Sequence, residues 1–126
     1  MTEKRQRDFS CAMEASLSVI SGKWKMKMLN RLLRGTKRYS DLKRSLPGIT
    51  EKMLTQQLRE LEEDKIITRK VYPVVPPRVE YTCTELGEEL TQIFTELEKW
   101  GNHFLTETNP NGDAIQVNVT ENILQV

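Results

Sequence analysis

Between residues 50 and 64 the apolar positions follow a helical period. Leu54, Leu58 and Leu61 are spaced at i, i+4 and i+7 and therefore share one face of a helix. Thr50 is the predicted N-cap, because its hydroxyl can accept a hydrogen bond from a free amide of the first turn. The face away from the leucines is polar and carries Lys52, Thr55, Gln56 and Arg59. Taken alone, this pattern also fits an ordinary surface helix.

Helical spacing marks four other segments. They span about residues 11–20, 23–34, 40–46 and 85–100. The expected N-caps of three of them are Ser10, Ser40 and Thr84. In the second segment the apolar stripe runs from Met28 to Leu33, so we expect its lysines and arginines, including Lys25, on the exposed side. In the third, Leu42 and Leu46 are expected to face inward.

The order of elements predicts the fold. A short helix, a Pro-Gly turn at residues 47–48 and a leucine-striped helix form a helix-turn-helix unit. Two stretches with strand composition follow at 65–72 and 78–82. Between them, PVVPP suits a stiff loop better than a central strand. We therefore predict a mostly helical α+β fold, a winged helix-turn-helix whose wing is this hairpin.

The two ends of the chain differ from this middle part. Residues 1–9 are charged, and we expect them to form a mobile arm. The last helix carries a broad apolar face that includes Ile93, Leu97 and Trp100. We expect this face to contact a second subunit, although it could also pack within its own domain. The tail at 106–126 could pair with a second subunit, extend the wing sheet or be disordered.

Charge is distributed unevenly along the chain. The net charge is only +1, but residues 23–80 hold fifteen Lys and Arg against seven Asp and Glu. From residue 81 onward, Lys99 stands against eight acids. The basic middle segment suits a polyanionic partner, and the acidic C-terminal part is expected to face away from nucleic acid.

Length and composition limit the other classes of function. A chain of 126 residues predicts one domain with its own core. We expect a cytoplasmic protein, because no apolar run approaches the ~20 residues of a membrane span and the N-terminus is charged. Cys11 and Cys83 are too few for a disulfide framework or a cysteine-built metal site, and no cofactor is expected. An enzyme is not expected either, because its one conceivable nucleophile and base, Cys11 and His103, lack an orienting third group.

The polar groups match duplex DNA. Amide, hydroxyl and guanidinium groups bind base edges in a major groove, so we predict base contacts from Lys52, Thr55, Gln56 and Arg59. Predicted backbone or wing contacts are Arg38, Lys43, Thr50, Arg69, Lys70 and Arg78. The alternative for the hairpin cations is a solvated edge that prevents strand pairing. For the whole fold, the alternative is a protein-interaction module without sequence-specific DNA binding.

Four stretches carry a family resemblance. They are EASLSVISGKWK from Glu14, LKRSLPGIT from Leu42, MLTQQLRELEEDKII from Met53 and VYPVVPPRVEYTCTELG from Val71. Over residues 11–101 the chain resembles the HxlR-type winged helix-turn-helix transcriptional regulators. The resemblance implies a domain at 10–105 and a homodimer on a two-fold symmetric DNA operator. It also implies dimerisation through the first and last helices, which carry Leu17, Ile93, Leu97 and Trp100.

Several members of that family sense electrophiles or oxidants through a cysteine in a Cys-Pro pair before the first helix. Cys11 occupies that place, with Ala12 instead of the proline. A helix N-terminus favours the thiolate, which can react with a small electrophile or oxidant. Basic residues close in sequence could add to this effect: Lys4, Arg5 and Arg7. The alternative is an inert residue that fills a gap under the helix, and Cys83 is expected to be structural.

Overall fold

The computed structural model describes Arg5 and residues 7–110. The helices are α1 (Ala12–Ile20), α2 (Lys23–Leu32), α3 (Tyr39–Ser45), α4 (Glu51–Glu63), α5 (Glu85–Glu88) and α6 (Leu90–Thr108). The strands are β1 (Lys37–Arg38), β2 (Ile67–Tyr72) and β3 (Arg78–Cys83). This order confirms the predicted mostly helical α+β fold, a winged helix-turn-helix. Among the described residues, no helix is both long and apolar enough to cross a membrane.

Local chemistry sets both ends of α4. The Met53 N–H donates to Thr50 Oγ1 at 3.1 Å, which confirms the predicted cap. At the other end Lys65 adopts a left-handed conformation, with φ 62°, and the Ile66 N–H donates to the Leu61 carbonyl at 3.0 Å. This is the hydrogen-bond pattern of a Schellman motif. Because the chain turns out of the helix there, β2 begins at residue 67 rather than at the predicted 65.

Two of the predicted N-caps are wrong. The N-cap of α1 is Cys11, and that of α3 is Arg38. The Ser10 hydroxyl instead donates to the Glu14 carboxylate at 2.5 Å, so it is turned to a side chain rather than to the helix amides. Ser40 lies inside α3, because the pairing of β1 with β3 ends at Arg38 and the helix begins directly afterwards.

The predicted last helix is split. Thr84 Oγ1 accepts a hydrogen bond from the Gly87 N–H at 3.0 Å, as predicted, but caps only the short α5. A Cβ at Gly87 would lie 2.3 Å from the Ile66 carbonyl oxygen, so the close approach of α5 to the start of the wing requires glycine. After this break α6 runs to Thr108, and residues 106–108 of the predicted tail are helical. The rest of that prediction, from residue 111 onward, lies outside the described residues.

The hydrophobic core lies between α2, α3, α4 and the sheet. The three leucines of the α4 stripe are at most 1% exposed: Leu54, Leu58 and Leu61. Leu42 of α3 and Leu46, which directly follows α3, are buried in the same cluster, as predicted. Leu90 and Phe94 of α6 close the core from the C-terminal side. Because α4 buries its leucines here, its opposite face points away from the domain.

The antiparallel sheet has the strand order β1-β3-β2. The predicted wing hairpin is present, and its register runs from Ile67 opposite Cys83 to Tyr72 opposite Arg78. The two-residue β1, which the sequence did not predict, pairs on the other edge of β3 and places Arg38 opposite Glu80. It therefore connects the helix-turn-helix unit directly to the wing.

Candidate nucleic-acid interface

The outward face of α4 brings the predicted base-contact residues together. The exposed side chains there are Lys52, Thr55, Gln56 and Arg59. Thr55 Oγ1 lies 3.4 Å from the hydroxyl of Tyr39, and Gln56 Nε2 lies 3.5 Å from Glu60 Oε2. Both distances are at the long limit of hydrogen bonding, so these polar groups remain available to another partner.

The turn before α4 and the contacts of α3 position this face. Gly48 has a φ of 91°, a backbone conformation that favours glycine. Glycine at this position therefore allows the tight Pro-Gly turn. Arg31 of α2 donates from Nη2 to the carbonyl of Ser45 at 3.1 Å and holds the end of α3. Thr50 is exposed at the start of α4, and Lys43 is half-exposed on α3. These two predicted backbone-contact residues thus flank the turn.

The structure divides the three basic residues of the wing between two faces. Successive side chains of a strand point to opposite sides, and the register pairs Arg69 with the buried Tyr81. Arg69 therefore lies on the face toward α4, where its Nε is 3.6 Å from Glu62 Oε1. Lys70 and Arg78 lie on the outer face of the sheet.

A cleft of about 450 Å³ lies between α4 and the wing. Its lining residues are Thr55, Leu58, Arg59, Glu62, Glu63, Arg69 and Tyr81. Two predicted base-contact residues of α4 and one predicted wing residue therefore share one surface. This arrangement makes the outward face of α4 and the inner face of the wing parts of one continuous concave site.

The outer face of the wing has two organising residues that the sequence did not reveal, Tyr72 and Glu80. Lys70 Nζ and Arg78 Cζ lie 4.8 and 4.2 Å from the centroid of the Tyr72 ring. The Tyr72 hydroxyl donates to Glu80 Oε1 at 3.1 Å, and Arg78 Nε lies 3.4 Å from Glu80 Oε2. Arg38 is paired with Glu80 across β3 and therefore lies on the same face. Alternation along β2 places Lys70 and Tyr72 on one face, but only the register brings in Arg38 and Arg78.

Lys25 is buried, which corrects its predicted exposed position. It is 6% exposed, and its Nζ lies 2.5 Å from Glu60 Oε1 of α4. Burial alone would raise the pKa of Glu60, but the hydrogen bond and charge of Lys25 outweigh it and the pKa lies below its usual value. The sequence did contain a signal, because Lys25 precedes Met28 and Leu29 by three and four residues and so lies on the buried stripe of α2.

Arg5 and Arg7 bind Asp64 at the end of α4. Arg5 donates from Nη1 and Nη2 to the two carboxylate oxygens at 3.1 and 2.7 Å, and Arg7 donates to Oδ1 at 2.7 Å. Burial alone would raise the pKa of Asp64, but these hydrogen bonds and charges lower it below its usual value. Arg5 and Arg7 of the predicted arm therefore contact the end of α4. Their charges, expected to act on Cys11, are engaged with Asp64.

The helices α1 and α6 expose large apolar side chains. The four residues predicted at a subunit interface are 44–65% exposed: Leu17, Ile93, Leu97 and Trp100. The Trp100 ring stacks on Phe104 with centroids 5.4 Å apart, and Phe104 and Met13 of α1 are also exposed. Exposed apolar surface of this kind marks interaction sites. Phe104 and Met13 were not singled out from the sequence.

The two cysteines lie in different environments. Cys11 is exposed at the N-cap of α1, which does not fit a residue that fills a gap under the helix. Cys83 packs against the core, and burial raises the pKa of its thiol to about 11, with a smaller contribution from Glu88. Cys83 is therefore a neutral thiol near pH 7, as its expected structural role requires.

Comparison with known proteins identifies the family. The HxlR-like helix-turn-helix family matches residues 19–109. The HTH-type transcriptional regulator YkvN of Bacillus subtilis (strain 168) is 49% identical over 107 residues, which cover 85% of this chain and 91% of YkvN. The oxidised form of the redox regulator HypR matches with a TM-score of 0.67 and 46% identity, over 74% of this chain and 96% of that chain. Diamide-treated YodB from B. subtilis matches with a TM-score of 0.65 and 33% identity, over 77% and 97%. The chain belongs to the HxlR-like helix-turn-helix family and is a transcriptional regulator of that family.

Proposed function

We propose that the protein is a homodimeric regulator that binds duplex DNA sequence-specifically through α4. The observation that carries this proposal is the outward face of α4. There, four polar side chains are exposed above a fully buried leucine stripe and beside the cations of the wing. In helix-turn-helix proteins the second helix of the unit enters the major groove.

The side-chain chemistry of α4 supports base readout. Arginine and lysine bind guanine, glutamine can bind adenine with two hydrogen bonds, and a threonine hydroxyl suits either. Arg59, Gln56, Thr55 and Lys52 supply these groups over about two turns. The acidic residues that follow, from Glu60 to Asp64, limit the approach of DNA to the first part of the helix.

The remaining predicted contact residues, five cations and Thr50, suit the phosphate backbone. Thr50 and Lys43 flank the turn, Arg69 faces α4, and Arg38, Lys70 and Arg78 lie on the outer side of the wing. We propose that the first three lie beside the major groove and that the other three contact a neighbouring phosphate or the minor groove. These residues therefore extend the proposed DNA-binding surface beyond the bases that α4 reaches.

The exposed apolar residues of α1 and α6 support a dimer. Leu17, Ile93, Leu97 and Trp100 would be covered by a second copy of the chain. A two-fold dimer places two copies of α4 on two half-sites, so a symmetric operator is expected.

The test is selection of bound duplexes from a random pool, followed by affinity measurements in increasing salt. Enrichment of a two-fold symmetric sequence is expected. Affinity should fall by about 10³-fold or more between 50 and 200 mM salt if roughly six phosphates are neutralised. A failure to enrich any sequence, or binding insensitive to salt, would contradict the proposal.

We further propose that Cys11 senses electrophiles or oxidants. Cys11 is exposed at the start of α1, the same helix that carries Leu17 of the proposed dimer interface. HypR, a redox regulator, and diamide-treated YodB share this fold with the chain. The test treats the wild type and Cys11→Ser with a quinone or diamide and measures how much of the selected operator each protein releases. Loss of the response in the variant is expected, and equal responses would end the sensor role.

A further inference from the structure

The end of α4 lies within a cluster of ion pairs that includes residues from outside the helix-turn-helix unit. Its anions are the four acidic residues Glu60, Glu62, Glu63 and Asp64. Their basic partners are Arg5, Arg7, Lys25 and Arg69. Two of these cations, Arg5 and Arg7, come from the segment before α1. The DNA-binding helix is thus joined to the N-terminal segment at the end opposite its cap.

The contacts of Asp64 are of the strong kind. Its side chain is 3% exposed, and Arg5 binds both of its oxygens at 3.1 and 2.7 Å while also donating to the Glu60 carbonyl at 3.3 Å. Arg7 supplies a further bond at 2.7 Å. A bidentate hydrogen bond from an arginine to a desolvated carboxylate is stronger and more directional than a surface ion pair. By contrast, Lys99 and Glu96 of α6 form an exposed pair at 3.5 Å, which is typical of weak contacts.

The position of these cations also affects how strongly the end of α4 would repel a polyanion. Four unpaired acids at the end of α4 would repel phosphates, and they would also oppose the helix dipole, which favours cations at a C-terminus. Arg5 and Arg7 offset these charges on one side of the helix, and Arg69 offsets Glu62 on the side toward the wing. Arg5 and Arg7 therefore reduce the negative charge at one end of the surface that contains the outward face of α4.

We propose that Arg5 and Arg7 form an N-terminal clamp that holds the end of α4 and positions the helix for DNA. Since this role rests on the DNA binding proposed above, Arg5, Arg7 and Asp64 are positioning residues rather than base contacts. Cys11 follows Arg7 by four residues, so the clamp also joins the exposed thiol to α4 through a short stretch of chain. Release of the clamp frees the end of α4 and lowers affinity for the operator.

The direction of the Asp64→Asn effect distinguishes the clamp from general electrostatics. Removal of this acid makes the protein more positive, so long-range attraction alone predicts equal or tighter DNA binding. The clamp predicts weaker binding, by about tenfold, because both arginines lose their shared partner. Arg5→Ala is expected to weaken binding to a similar extent. Because Arg5 and Asp64 act through one contact, the double variant with Arg5→Ala and Asp64→Asn should lose little more affinity than either single variant.

The experiment measures the affinity of these three variants for the selected operator by fluorescence anisotropy. Matched controls are Glu96→Gln and Lys99→Ala, which make the same charge changes at the exposed pair on α6. The controls should bind within about twofold of wild type. Asp64→Asn that binds as tightly as wild type, or a double variant whose loss equals the product of the two single losses, overturns the clamp.

A second readout does not need DNA. Hydrogen exchange of the amides at residues 64–66, whose N–H groups bond back to the end of α4, should become faster in Arg5→Ala than in Lys99→Ala. Unchanged exchange overturns the clamp even if affinity falls. If the wild type binds no duplex, DNA binding fails as the proposed function, and exchange alone then decides the clamp. Thermal melting of each variant confirms that it is folded.

Discussion

The outward faces of α4 and α6 are exposed for different reasons. Each helix buries one apolar stripe in the core, Leu54, Leu58 and Leu61 from α4 and Leu90 and Phe94 from α6. The remaining face of α4 is polar and lies beside the cations of the wing. In contrast, the remaining face of α6 is apolar and carries Trp100 stacked on Phe104. The first face suits the edges of bases, whereas the second suits a protein surface. This difference supports the proposal that α4 reads DNA and that α6 contacts a second subunit.

The largest effect is expected from a charge on the apolar face of α6. Leu97→Glu places a carboxylate in the proposed dimer interface, where its desolvation is unfavourable, and should give a monomer. Loss of simultaneous binding to two half-sites lowers operator affinity by about 100-fold or more. Sedimentation velocity measures the assembly, with the exposed Gln92→Glu as control on the same helix. A Leu97→Glu dimer of wild-type affinity would show that this face has another role.

A smaller but more specific effect is expected on α4. Arg59→Ala should relax the preference at one base pair of each half-site and weaken the selected operator by about tenfold, with little effect on random duplexes. Repeating the selection with the variant measures the change. An unchanged consensus sequence would remove Arg59 from the base contacts.

The two helices also show what the sequence can predict. The period of the leucines and the chemistry of Thr50 are local, so α4 and its cap could be derived directly. The exposed apolar face of α6 was also visible in the spacing of Ile93, Leu97 and Trp100. The fold and the candidate base contacts thus followed from residues close in sequence.

What depends on distant contacts could not be predicted in this way. The strand β1 has only two residues and exists through its pairing with β3. The ion pairs of Arg5 and Arg7 with Asp64 join residues more than fifty positions apart. Similarly, Glu80 and Arg38 join Lys70 and Tyr72 on the outer face of the wing only through the strand register. Lys25 is an intermediate case, because its position on the α2 stripe was readable but its partner Glu60 was not.

The outer face of the wing should contribute affinity without sequence preference. Lys70→Ala removes one proposed phosphate contact, so we expect all duplexes to bind roughly threefold more weakly. The slope of log affinity against log salt should also fall by about one per subunit. Lys99→Ala on α6 serves as the charge-matched control. If Lys70→Ala weakens the selected operator but not random duplexes, then Lys70 reads sequence.

The smallest expected effect is a pH dependence at the end of α4. The pKa values of Asp64 and Glu60 lie below their ordinary values of 3.8 and 4.5, because their basic partners outweigh burial. Their stabilisation is therefore fully present above about pH 5 and is lost as the pH falls through the lowered values. Urea unfolding between pH 7 and 3 should show a shallower loss of stability in Asp64→Asn than in wild type. The exposed Glu96→Gln should follow wild type, and identical profiles for all three proteins would contradict this role of Asp64.

The most direct test of DNA reading by α4 is the ratio of affinities for the selected operator and a scrambled duplex of equal composition. For the wild type we expect a ratio of about 10³ or more. A variant with alanine at Lys52, Thr55, Gln56 and Arg59 should retain its fold, because these side chains are exposed. Its ratio should fall close to one while salt-dependent binding persists. A variant that keeps the wild-type ratio would show that α4 does not read the sequence.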